Sequence, residues 1–119
     1  MRLNEIKYTD AKPVDGYGPG FFRVGGEVIE GHVIVSPRGV APWGGYEDIA
    51  SITEALAGKI DVLFCGTGAD VAHPPRAFRE ALEAAGIGVE PMSSPSAARS
   101  YNILLSEGRR IAAAMLTVS

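Results

Sequence analysis

The fold turns on the stretch Ile60-Asp-Val-Leu-Phe-Cys-Gly-Thr-Gly-Ala-Asp70. After Asp61 its apolar residues run without alternation and stop on Gly66-Thr67-Gly68. An uninterrupted run of this length suits a strand buried on both faces, as in a parallel sheet. Downstream, Pro74-Pro75 opens a helical stretch from Arg76 to Ala85, with Phe78 and Leu82 four apart on one face, and Gly86 stops it. Ile87-Gly-Val-Glu-Pro-Met92 reads as the next strand. Strand, helix, strand makes a βαβ unit with parallel strands. Gly66–Gly68 and Ser93-Ser94 then leave carboxyl ends on one sheet edge, where open α/β sheets bind ligands.

On the amino-terminal side the pattern is β structure broken by glycine. Val14-Asp-Gly-Tyr-Gly-Pro-Gly20 reads as a flexible loop. Phe21–Val24 and Glu27–Glu30, joined by Gly25-Gly26, read as a hairpin. His32–Val35 extends the β-branched run, and Ser36-Pro-Arg-Gly39 ends it. Ser51 with Glu54 fits a capping box for a short helix that reaches Ala57 and ends on Gly58.

On the carboxyl-terminal side, Ser94-Pro95 reads as a serine cap followed by proline at the first helical position. That helix is expected to reach Glu107, with Ala97, Ala98, Tyr101, Leu104 and Leu105 inward, and to end on Gly108. Asn102 shares the buried arc and needs partners there, in a local network tying the helix end to the last strand. Glu107 is placed to pair with Arg110 across the bend. Ile111–Leu116 has alanine propensity for helix, but it follows Gly108 by only two residues and is read as a strand.

Composition bounds the function classes. At 119 residues the chain is read as a single domain over 1–119, with 1–19 partly irregular. Hydrophobic residues at 46% with 21% charged are ordinary for a folded globule. A net charge of −3, without an aromatic and basic stripe, gives no reason to expect nucleic acid or an anionic membrane as partner. Cys65 is the only cysteine, so an intrachain disulfide and a cysteine metal cluster are excluded. The start, Met1 to Tyr8, lacks the apolar centre of a signal peptide, and the longest apolar run, Ile111–Leu116, is far short of a bilayer span. A cytoplasmic protein without direct membrane insertion is expected.

Gly66-Thr67-Gly68 is a weak nucleotide loop. Position 71 is Val71 where a dinucleotide fingerprint needs glycine, and no Gly-Lys-Ser/Thr triplet follows. The plain alternative is a tight corner. A more specific reading is an anion pocket built from Gly66, Thr67, Gly68, Arg76, Ser94, Ser96 and Arg99. There the helix start would supply N–H groups and a positive dipole end, and the two arginines would reach a carboxylate or phosphate. Against it stands ordinary solvated surface charge at Arg76 and Arg99. Cys65 and His73 share a loop, but no third orienting group accompanies them, and a cysteine ending a buried strand is usually inert. His32, Asp70 and His73 lack metal-ligand spacing. No catalytic residue, no metal site and no cofactor is assigned.

Several of these segments also carry a family pattern. Phe22-Arg-Val-Gly-Gly26, Ser36-Pro-Arg-Gly-Val40 followed by Trp43, Gly66-Thr67-Gly68, Gly86–Met92 and Ala97–Arg109 together resemble one family across about Tyr17 to Leu116. It is the family of the mitochondrial complex I alpha-subcomplex assembly factor and the adipogenesis-associated single-domain protein, whose bacterial and archaeal members are grouped as a domain of unknown function. The resemblance implies a small three-layer α/β domain with a mixed central sheet and a hairpin, and protein partners among respiratory-complex subunits. It implies no established enzymatic activity. Ser93-Ser94, Ala98 and Ser100 depart from the family's usual Asp-Thr, small or cysteine, and threonine at those places. Helix capping survives these changes, whereas chemistry needing a thiol at 98 does not.

The expectation is therefore one α/β domain acting as a non-catalytic binding or assembly module. Its surface would be the groove at the sheet edge and exposed aromatic loops around Tyr17–Phe22 and Trp43. The competing expectation is a small-molecule or anion-binding protein, or an enzyme, using the pocket named above. An exposed edge in the Phe21–Val35 hairpin would also allow a homodimer by strand pairing.

Overall fold

The computed structural model describes residues 12–119. In chain order these form β1 (Val14–Gly18), β2 (Phe21–Val24), β3 (Glu27–Glu30), β4 (Val33–Ser36), β5 (Gly39–Pro42), α1 (Ala50–Leu56), β6 (Val62–Gly66), α2 (Arg76–Ala84), β7 (Gly88–Met92), α3 (Ser94–Leu105) and β8 (Ile111–Met115). The expectations for Met1–Tyr8 and for most of the irregular start lie outside the described residues.

The apolar runs build a five-stranded mixed sheet in the order β5-β4-β8-β6-β7. β6 pairs in parallel with β7 on one side and β8 on the other. β4 runs antiparallel to β8 and to β5. The remaining strands form a separate antiparallel sheet, β1-β2-β3.

Successive side chains on a strand point to opposite faces, so each central strand feeds two cores. Val33, Val35, Phe64, Ile111, Ala113 and Met115 face one side and meet Phe22 and Val24 of the small sheet and Ala97, Ala98 and Tyr101 of α3. Ile34, Leu63, Cys65, Ala112 and Ala114 face the other side and meet Ile52 and Leu56 of α1 and Phe78 and Leu82 of α2. The result is three layers with the large sheet in the middle. β8 is buried along its whole length, which explains its alanines: both faces are covered, and small side chains let the layers approach. Phe22 and Tyr101 are fully buried, each contributing about 1.5–3 kcal/mol of apolar burial.

The βαβ unit and the strand at Ile111 form as expected. The Gly25-Gly26 turn joins β2 to β3 with Val24 opposite Glu27 and φ of +57° and +87°, values that a two-residue hairpin requires and glycine supplies.

Other local readings are corrected. Val14–Gly18 is a strand antiparallel to β2, with an irregularity between Val14 and Gly16, not a flexible loop. Ser36–Gly39 does not end the β structure but turns β4 back into β5. The supposed Phe21–Val35 hairpin is thereby split between two sheets, and β3 is an edge of the small one. Ser51 lies inside α1 rather than capping it. Asp48 takes the capping role, its Oδ1 accepting the Ser51 N–H at 3.3 Å. Hydrogen bonds from the Ser51 hydroxyl, then from the Gly44 and Ser51 N–H groups, hold the Asp48 carboxyl below its usual range. Ser93, one residue earlier than expected, caps α3 and accepts the Ser96 N–H at 3.3 Å.

Candidate functional site

The carboxyl edge of the parallel strands brings Gly66, Thr67, Gly68 and Ser94 together. Ser94 is fully buried. Its N–H donates to the Gly68 carbonyl at 2.7 Å, and its Oγ accepts the Gly68 N–H at 3.0 Å. The same hydroxyl donates to the Leu116 carbonyl at 2.6 Å. Leu116 in turn donates its N–H to the Gly66 carbonyl at 2.9 Å. Gly66 has no room for a side chain: a Cβ would lie 2.7 Å from Ser94 Oγ and 2.9 Å from Ser94 Cα. Thr67 Oγ1 accepts the Ala72 N–H at 3.0 Å and lies 2.7 Å from the Asp70 carbonyl. One buried hydroxyl thus clasps the β6 exit, the α3 start and the segment after β8.

The other residues assigned to an anion pocket make no hydrogen bond to this clasp among the described residues. Ser96 hydrogen-bonds Ser93 at the helix start. Arg76 is exposed and pairs with Glu80 at 3.3 Å, a surface pair one helical turn long. Arg99 is exposed. An anion at this edge would compete with bonds that the Gly68, Ser94 and Ser96 N–H groups already make.

The segment after β8 continues the clasp outward. Thr117 donates its N–H to His32 Nδ1 at 2.9 Å, and Val118 accepts the Gly20 N–H at 2.9 Å. His32 also accepts the Trp43 N–H through its carbonyl. Trp43 is 4% exposed, so the aromatic loop expected around it is corrected to a core element. Phe22 is buried too, and within Tyr17–Phe22 Tyr17 is the aromatic left largely exposed. Trp43 packs with Tyr46 and Phe78, at ring separations of 5.9 Å each. The Cys65 thiol sits 4.0 Å from the Tyr46 hydroxyl, and burial pushes it up to about 11. His73 is exposed, away from this buried thiol. Among the described residues no three His, Cys, Asp or Glu side chains gather as a metal site.

Two polar ties at the far ends differ from those read in the sequence. Asn102 bonds β1 rather than the last strand: its Oδ1 accepts the Val14 N–H and its Nδ2 donates to the Val14 carbonyl, both at 2.9 Å. Arg110 pairs with Asp61 at 3.2 Å, not with Glu107, and donates to the Gly58 carbonyl at 3.1 Å.

At the opposite, amino-terminal edge of the parallel strands lies a cleft of about 360 Å³, lined by Pro37, Arg38, Leu56, Lys59, Ile60 and Gly108–Arg110. Sequence reasoning passed over it. Its signal was a cation in each of three turns leading into β5, β6 and β8, with Arg109-Arg110 adjacent.

No helix among the described residues is long and apolar enough to cross a membrane. An uncharacterised protein of Rhodobacter capsulatus is 51% identical over 116 residues, covering 98% of this chain and 93% of that protein. NADH dehydrogenase (ubiquinone) 1 alpha subcomplex assembly factor 3 of Danio rerio is 34% identical over 84% of this chain. The chain spans 61% of that relative's length. Among solved structures, one described as an outer membrane protein from Bartonella henselae superposes with a TM-score of 0.82 at 32% identity, covering 94% of this chain and 99% of that one. The family model described as protein of unknown function (DUF498/DUF598) matches residues 14–116, which hold every described helix and strand, and the chain belongs to that family.

Proposed function

We propose that this protein is a non-catalytic, cytoplasmic binding module of the assembly-factor type, and that its partners are protein subunits of a respiratory NADH dehydrogenase. The observation that carries this reading is the 34% identity to assembly factor 3 over 84% of the chain. The geometry supports it by what the polar residues do. The hydroxyls, amides and carbonyls at the sheet edge are spent on one another, and the lone thiol is buried and held in its unreactive protonated form. Such an edge fixes the shape of a surface and leaves recognition to what lies on that surface.

Affinity capture of the tagged chain from the cells that make it, with mass spectrometry of what is retained, tests the reading. Enrichment of NADH dehydrogenase subunits over an untagged control is expected. Capture of none of them, by a chain that instead converts a small metabolite, would reverse it.

A further inference from the structure

We propose that the cleft at the amino-terminal edge of the parallel strands docks an acidic segment of a partner protein. The proposal rests on the protein-binding reading above and names the surface that reading requires. The cleft's volume, about 360 Å³, falls at the lower end of the range for ligand sites. Its floor is apolar: Leu56 and Ile60 line it and are 2% and 3% exposed. Its rim carries Arg38, Lys59, Arg109 and Arg110, all exposed. Four cations on one rim, in a chain of net charge −3, oppose the sign of the molecule as a whole.

Arg110 is neutralised by Asp61 and held by the Gly58 carbonyl, so it braces the wall. Arg38, Lys59 and Arg109 form no ion pair among the described residues. Gathering three uncompensated cations around one hollow raises the energy of the free protein by like-charge repulsion, and an incoming anion relieves it. The arginine forks suit carboxylates, which they hold in bidentate fashion.

The lining discriminates among anions. Among the described residues no aromatic side chain lines the cleft, so they offer no stacking platform for bases. An apolar floor beneath a cationic rim fits an apolar side chain flanked by Asp or Glu. A second hollow of about 150 Å³, beside Gly39–Ala41 of β5, shares Arg38 and Leu56 with the first. β5 is an edge of the large sheet among the described residues, where its outer backbone groups have no strand partner. Two hollows side by side suit a segment rather than a single ion.

The test is an amide NMR titration of the full chain with a capped octapeptide of alternating Glu and Leu, beside the Lys and Leu counterpart and inorganic phosphate. Expected are saturable shifts at Arg38, Lys59 and Gly108–Arg110 with the acidic peptide only. The triple variant R38E/K59E/R109E should bind roughly tenfold more weakly, and the neutral R38Q/K59Q/R109Q should fall between, since each exposed contact contributes modestly. Raising salt from about 50 mM to about 500 mM should weaken binding severalfold. Absence of saturation, shifts elsewhere, an unaffected variant, or equal saturation by phosphate would each overturn the proposal. Affinity capture separates the two levels. If wild type retains dehydrogenase subunits and the triple variant retains them equally, the cleft assignment fails alone. If wild type retains none, the protein-binding reading fails with it.

Discussion

Ser94 and Gly68 hold each other by two hydrogen bonds, N–H to carbonyl at 2.7 Å and N–H to hydroxyl at 3.0 Å. They lie 26 residues apart, and the same Ser94 hydroxyl donates onward to the Leu116 carbonyl. The turn after β6 is thereby fixed to the start of α3 and to the exit of β8.

Ser94→Ala therefore strands the buried Gly68 N–H and weakens the hold on the half-buried Leu116 carbonyl. Each unsatisfied buried group costs about 1–3 kcal/mol, and the expected loss of stability is roughly 2–3 kcal/mol by urea unfolding. Gly66→Ala should cost about as much, because the new methyl would meet backbone at Ser94 Cα, which cannot rotate away. A loss under about 0.5 kcal/mol in both variants would remove the clasp from the account.

Asn102 is the polar tie between α3 and the small sheet. Asn102→Ala should cost roughly 1–2 kcal/mol for the two lost bonds to Val14. The loss should be local: amide exchange speeds up in β1 while β6 and β8 stay protected. Uniform acceleration throughout the chain would contradict this.

Tyr101 is fully buried, and its hydroxyl has no hydrogen-bond partner among the described residues. Tyr101→Phe should leave stability unchanged or raise it by about 1 kcal/mol, against the usual loss on altering a core residue. A clear loss, measured by thermal unfolding, would mean that the hydroxyl is satisfied.

The Cys65 thiol gives a pH dependence of definite sign. Its folded value, pushed by burial from 9.0 to about 11, lies above the unfolded one, so the folded state keeps its proton longer. The associated stability is fully present below pH 9.0 and is lost as pH rises through about 11, roughly 3 kcal/mol in all. Burial raises Tyr46 and Tyr101 in the same direction. Urea midpoints should fall across that window, and less steeply in Cys65→Ala. An identical slope in the variant would remove the thiol from the effect.

Much of the architecture was legible because burial on two faces leaves an unmistakable run. After Asp61, Val62–Cys65 is apolar without interruption, and the structure covers both its faces. What hid from the sequence was decided across strands. β1 reads as a loop since Gly16, Gly18 and Gly20 crowd seven residues, yet its register explains two of them. Gly18 lies opposite Phe21, whose ring occupies the place a Cβ would take, and Gly16 lies opposite Arg23, whose flexible guanidinium comes within 3.3 Å of that place. Two adjacent serines, Ser93 and Ser94, offer the same capping chemistry, and only packing decides that the first caps while the second is buried. The cationic cleft was hidden for a similar reason: Arg38, Lys59 and Arg109 stand in three separate turns, and the strand order that gathers them is a tertiary fact.

The proposed role is assembly of a respiratory dehydrogenase through protein contacts. Native gel analysis of membranes from cells lacking the chain, stained for NADH dehydrogenase activity, tests it most directly. Loss of the full-sized enzyme with smaller partial assemblies accumulating, both reversed by returning the wild-type chain, is the result predicted. A full-sized enzyme at undiminished level in the deleted cells would contradict it.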